Sequence, residues 1–258
     1  MAPQVHSEKP GLGTLIVTGA SRGIGAAIAR LAGARGYAVA VNFCSGEAEA
    51  ERLSSEIVAG GGRALAIHAD VSREEQIIQL FQIAERELGP IKGLVNNAGI
   101  TGGFARVEDV TAEAIEKTFA VNVTGAMLCA REAVRRMSTR RGGTGGAIVN
   151  ISSLATRTGA AGEWVHYAAS KGAIDSFTLG LAREVATEGI RVNAVSPGLT
   201  ETDLHAANGE PGRLQRLMPT IPMGRAGLPH EIAEAVLWLL SAEASYVTGA
   251  TLEIGGGR

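Results

Sequence analysis

Cysteine is almost missing from this chain. The only two, Cys44 and Cys129, read as separate reduced thiols rather than a bridge, as in a cytoplasmic protein. Long apolar runs are missing too: nothing approaches the roughly 18 consecutive apolar residues of a membrane span. The opening MAPQVHSEKPGLG carries no signal-type apolar run, so residues 1–13 read as a flexible tail. Neither sign of charge is in excess, with 24 Lys and Arg against 26 Asp and Glu. That balance argues against nucleic acid as a partner, which draws a basic field. The five histidines are scattered without metal-ligand spacing to cysteine or carboxylate, so no metal chemistry is indicated.

What is present is a regular alternation. Short β-branched, apolar runs at Leu15–Thr18, Ala38–Phe43, Ala64–His68, Gly93–Asn96, Ala147–Ile151, Arg191–Val195 and Thr251–Ile254 predict strands. Between them, helical patterns run over Ile24–Arg35, Glu47–Ala59, Glu74–Leu88, Ala112–Met137, Tyr167–Thr187 and His230–Ser241. Strands this apolar, each followed by a helix, predict a single α/β domain over 14–258: a doubly wound parallel sheet covered on both faces. The patternless stretch 199–229, with four prolines, is too long for a plain connection and reads as a lid.

Thr18–Gly25 reads TGASRGIG where the first strand gives way to the first helix. Gly19 permits the turn, while Gly23 and Gly25 let backbone approach a pyrophosphate held at the helix N-terminus; Ser21, Arg22 and Ile24 share that loop. An NAD-selective sheet places an acid at the tip of its second strand, but here that strand ends Val41–Asn42–Phe43. Arg22 can instead pair with a 2′-phosphate, so NADP(H) is expected over NAD(H), with Asn42 beside it. Asp70–Val71 ends the third strand, where a carboxylate suits an adenine amino group. Asn97, Ala98 and Gly99 end the fourth, where small residues leave room for ribose and pyrophosphate.

Tyr167 and Lys171 stand one helical turn apart in YAASK, so the ammonium can sit below the phenol. A cation there favours phenolate, and the phenol can then act as general acid for ketone reduction or base for alcohol oxidation. These motifs in this order resemble the short-chain dehydrogenase/reductase family over Thr14–Gly257. The resemblance implies a seven-stranded Rossmann sheet, a homotetramer, and a small carbonyl or alcohol substrate exchanged with the nicotinamide. It implies Asn122, Ser153, Tyr167 and Lys171 as the catalytic set. Ser153 would donate to the substrate oxygen, Asn122 would hold a water linking Lys171 to solvent, and Lys171 would also bond the nicotinamide ribose. It makes Pro197, Gly198 and Thr202 part of the nicotinamide cradle. Ser153 lies fourteen residues before Tyr167 where members commonly have thirteen, which reads as a one-residue insertion in 156–166, with Ser152 the lesser substitute.

His166 neighbours Tyr167, but adjacent helical residues point apart, so it reads as pocket lining or surface. Trp164, Leu204, Met218 and Met223 are expected in the substrate wall. Arg131, Arg135, Arg136, Arg140 and Arg141 either offset a helix dipole or dock an acidic acyl carrier protein, as in the 3-ketoacyl reductases that the chain broadly resembles. Sugar or polyol oxidation, as in glucose dehydrogenase-like members, and a non-catalytic NADP(H)-sensing protein are the competing readings.

Overall fold

The computed structural model describes residues 11–202 and 212–258. Most of the expected tail, and the middle of the expected lid including Leu204, lie outside the described residues. Seven strands form one parallel sheet: β1 (Thr14–Val17), β2 (Ala38–Phe43), β3 (Arg63–His68), β4 (Ile91–Asn96), β5 (Gly146–Ile151), β6 (Ile190–Pro197) and β7 (Thr251–Ile254). Their order is β3-β2-β1-β4-β5-β6-β7. The chain winds outward from β1 on one side and then on the other. Such a reversal leaves a crevice beyond the carboxyl ends of β1 and β4.

Strand side chains alternate between two helical layers. Leu15 and Val17 join one core with Val39, Val41 and Val149, beneath α1 (Gly23–Ala34), α2 (Glu47–Ala59) and α9 (Pro229–Leu240). Ile16, Leu94 and Ile148 join the other, beneath α3 (Glu74–Leu88), α5 (Ala126–Met137) and α7 (Val165–Val185). A period of two therefore feeds both layers, and each fully buried Leu, Ile or Phe contributes about 1.5–3 kcal/mol. These cores fix the strand ends, where the loops that build the site begin.

One predicted element is interrupted. The helix expected over Ala112–Met137 is α4 (Ala112–Phe119), a π-helical turn at Ala120–Gly125, and then α5. A Cβ on Gly125 would lie 2.5 Å from the Val71 carbonyl, so the chain there packs on the β3 exit with no side chain between. Two short helices also stand in segments read as loop: α6 (Ala155–Thr158) and α8 (Arg213–Leu217).

Candidate active site

The turn after β1 is held from three directions. Gly19 and Gly23 adopt φ +62° and +58°, conformations that L side chains resist. A Cβ on Gly25 would lie 2.5 Å from both Asn97 Nδ2 and the Gly19 carbonyl, so α1 can start only where it does. Asn97 Nδ2 donates to the Thr18 and Gly19 carbonyls at 2.8 and 3.0 Å. Asn42 accepts from the Gly19 amide at 3.2 Å through Oδ1 and donates to the Ala69 carbonyl at 3.0 Å through Nδ2. Asn42 and Asn97 thus both line the cleft, yet their polar atoms brace the glycine turn. Asp70 likewise spends Oδ1 on Ser72, at 2.9 Å from its amide and 2.7 Å from its hydroxyl.

Beyond these strand ends opens a cleft of about 670 Å³. Every residue expected at the cofactor lines it: Gly19, Ser21, Arg22, Gly23, Ile24, Gly25, Asn42, Asp70, Val71, Asn97, Ala98, Gly99, Pro197, Gly198 and Thr202. Thr202 lies across Gly23, its Cγ2 3.5 Å from where a Cβ would stand. Of the described residues lining the cleft, Asp70 is the lone acid, against Arg22, Lys117, Lys171, Arg213 and Arg258. First-turn amides of α1, a glycine turn too tight for side chains and this excess of cations fit a phosphate-bearing dinucleotide.

Ser153, Tyr167 and Lys171 line the same cleft, Tyr167 and Lys171 from the first turns of α7 and Ser153 from the loop after β5. Ser153 Oγ accepts from the Ala155 amide at 3.1 Å and acts on the Tyr167 phenol to lower it, whereas Ser152 Oγ is buried without a hydrogen-bond partner among the described residues. Lys171 is buried and donates from Nζ to the Ile151 carbonyl at 2.7 Å, with Nζ 5.7 Å from the Tyr167 ring centre. Burial pushes its ammonium down to about 8, opposed by the charge of Asp175 one turn on. The phenol departs from expectation. Burial raises Tyr167 above its usual value, while Ser153 and the charge of Arg213 pull it down. Desolvation of the phenolate outweighs the nearby cation.

Asn122 does not reach the cleft. It lies buried in the π-helical turn, where Oδ1 accepts from the Ile100 amide at 2.9 Å, and Nδ2 donates to the Ile100 carbonyl at 2.9 Å and to Ser170 Oγ at 3.0 Å. A Cβ on Gly99 would lie 3.3 Å from Asn122 Oδ1 and 3.5 Å from Lys171 Nζ, so Asn122 stands behind the lysine. The extra residue between Ser153 and Tyr167 falls in a chain that turns through positive φ at Gly159, Ala160 and Gly162.

The substrate end differs from expectation. Trp164 lines it, edge-on to Tyr167 and Phe104 at 6.2 and 6.4 Å. Met218 and Met223 do not, and Met223 is exposed. His166 is buried away from the cleft against Gly102. Cys44, Ser45, Lys117, Arg213 and Arg258 line the cleft unforeseen. Cys44 and Ser45 directly follow Phe43 and were open to inference; Arg213 and Arg258 arrive from distant segments without a motif.

The profile of the family described as enoyl-(acyl carrier protein) reductase matches residues 19–258. The chain belongs to the short-chain dehydrogenase/reductase family. An uncharacterized oxidoreductase of Escherichia coli is 50% identical to this short-chain dehydrogenase/reductase over 94% of this chain and 98% of its own. Glucose 1-dehydrogenase 2 of Bacillus subtilis is 39% identical, covering 95% and 92% of the two chains. A blue fluorescent protein from a metagenomic library, solved in complex with NADPH, superposes with a TM-score of 0.88 at 36% identity, over 96% and 98%. The protein is accordingly an oxidoreductase of a family that uses a nicotinamide cofactor. No helix among the described residues is long and apolar enough to cross a membrane.

Proposed function

We propose that this enzyme is an NADP(H)-dependent oxidoreductase interconverting a ketone and a secondary alcohol. The observation that carries it is that Ser153, Tyr167 and Lys171 line the same cleft as the glycine turn, with Lys171 Nζ 5.7 Å from the Tyr167 ring centre. The nicotinamide supplies the hydride for reduction or accepts it for oxidation. Gly19–Gly25 and the α1 amides hold its pyrophosphate, and Pro197, Gly198 and Thr202 border its ring. Arg22, exposed at the cleft, faces the 2′-phosphate, since no acid stands at the β2 tip to repel it.

In reduction, Tyr167 gives its proton to the carbonyl oxygen while Ser153 donates to the same oxygen as charge develops. A phenol raised by burial holds that proton at neutral pH, which suits the acid role. In oxidation Tyr167 takes the proton back. Lys171 stabilises the charge left on the phenolate and bonds the ribose. Asn122 fixes Ile100 beside Lys171 through both of its side-chain polar atoms.

Carbonyl-dependent oxidation of NADPH, compared with NADH, tests the reading. A Michaelis constant at least tenfold lower for NADPH is expected; a preference for NADH would remove the cofactor assignment. Similarity to a glucose 1-dehydrogenase favours one second reading, a sugar or polyol dehydrogenase using the same residues in reverse.

The exposed Trp238, Tyr246 and Leu252 beside the edge strand β7 support association with further copies, as a homotetramer. Sedimentation as a monomer at micromolar concentration would exclude it. Unpaired Cys44 and Cys129 support a cytoplasmic setting. Docking of an acyl carrier protein has less support. Arg131, Arg135 and Arg136 pair with Glu74, Glu132 and Glu85, and Arg140 pairs with Glu188, which uses these cations within the fold.

A further inference from the structure

The substrate end of the cleft is cationic, and its cations are fixed by the fold. Arg213, on α8, is buried and lies over the Trp164 ring with its Cζ 4.3 Å from the centre. Glu163 Oε2 accepts from Arg213 Nε at 2.9 Å and Nη2 at 2.7 Å, while its Oε1 accepts from Arg216 at 2.6 Å. The guanidinium is therefore held flat against the wall, its Nε–Nη2 edge committed to Glu163. Arg258 lines the same end and makes no ion pair among the described residues, because both oxygens of Glu163 are taken by α8. Burial and the charge of Arg213 lower the Arg258 guanidinium, with Glu163 opposing, and both arginines line the cleft. Trp164, which Arg213 covers, packs edge-on to Tyr167 at 6.2 Å, so Arg213 stands near the phenol rather than at a remote surface.

We propose that the physiological substrate carries an oxyanion, carboxylate or phosphate, received between Arg213 and Arg258 while its carbonyl lies at Tyr167 and Ser153. The inference rests on the ketone–alcohol reading above and adds the substrate's class: a short oxo acid or a phosphorylated ketone. An anion paired by Arg258 beside Arg213 orients the carbonyl from its far end, a role that the apolar Trp164 face alone cannot perform.

The test is kcat/KM with NADPH for three ketones of one skeleton, ending in a carboxylate, in its methyl ester and in a phosphate monoester. Wild-type enzyme is expected to prefer one charged form over the ester by tenfold or more, and that form identifies the oxyanion. Arg258→Gln is expected to reduce the charged-to-ester ratio at least tenfold, mainly through KM; because Arg258 is partly exposed, it also serves if Arg213→Gln fails to fold. Turnover of the ester equal to that of both charged forms, or a preference that survives Arg258→Gln, overturns the inference and leaves the ketone reading standing. Absence of turnover with all three, where simple neutral ketones are also refused, overturns both.

Discussion

Ser152 and Ser153 adjoin in the chain, yet Ser152 Oγ is buried without a hydrogen-bond partner among the described residues, while Ser153 acts on the Tyr167 phenol. Ser153→Ala is therefore expected to lower kcat by about 10²–10³-fold, the usual effect of losing one donor to a developing oxyanion. Ser152→Ala should leave kcat nearly unchanged, and steady-state assays of the two variants exchange these roles if the assignment is wrong. Lys171 gives a pH signature. Its folded value of about 8 lies below the ordinary 10.5, so between these limits the unfolded chain binds more protons. Wild-type stability should rise relative to Lys171→Met across pH 8 to 10.5, by on the order of 3 kcal/mol, in denaturant titrations at several pH values. A flat difference would mean an unperturbed lysine. At this scale the sequence exposed Tyr167, Lys171 and Ser153, because their spacing encodes one helix face and one loop. It did not expose the bracing tasks of Asn42 and Asn97, which depend on strands meeting side by side. Nor did it expose Arg213 and Arg258, brought together only by the folded chain.

Secondary structure was legible wherever burial imposes a period. The seven strands appear because their β-branched residues serve two cores in alternation, and their boundaries shift by no more than two residues. The π-helical turn at Ala120–Gly125 was hidden, since AVNVTGAM is apolar on nearly every face and one extra residue per turn leaves no trace in its pattern. The arginine-rich end of α5 is likewise explained only by what surrounds it. Glu132 is buried there, and although burial pushes its carboxyl up, hydrogen bonds and charge from Arg136, Arg131 and Arg135 hold it below the usual range. Glu132→Ala should destabilise the fold by about 2 kcal/mol, a buried-pair loss reduced by the partial exposure of its partners. A lowered unfolding midpoint with unchanged kcat is the expected result. Unchanged stability would return those arginines to the surface and to an acidic partner.

Across the whole molecule, one parallel sheet places the glycine turn from β1, the Asn97–Gly99 exit of β4, the serine loop after β5 and the Pro197 segment after β6 around a single cleft. Helix α7 then sets Tyr167 and Lys171 against that cleft from the layer packed on β6. The proposed chemistry rests on a single phenol within this arrangement. The most direct measurement is carbonyl-dependent NADPH oxidation by wild-type and Tyr167→Phe enzyme, with NADPH binding followed in parallel by fluorescence. Tyr167→Phe should lose nearly all turnover while binding NADPH with an unchanged dissociation constant. Retention of more than about a tenth of wild-type kcat would contradict Tyr167 as the proton donor and acceptor.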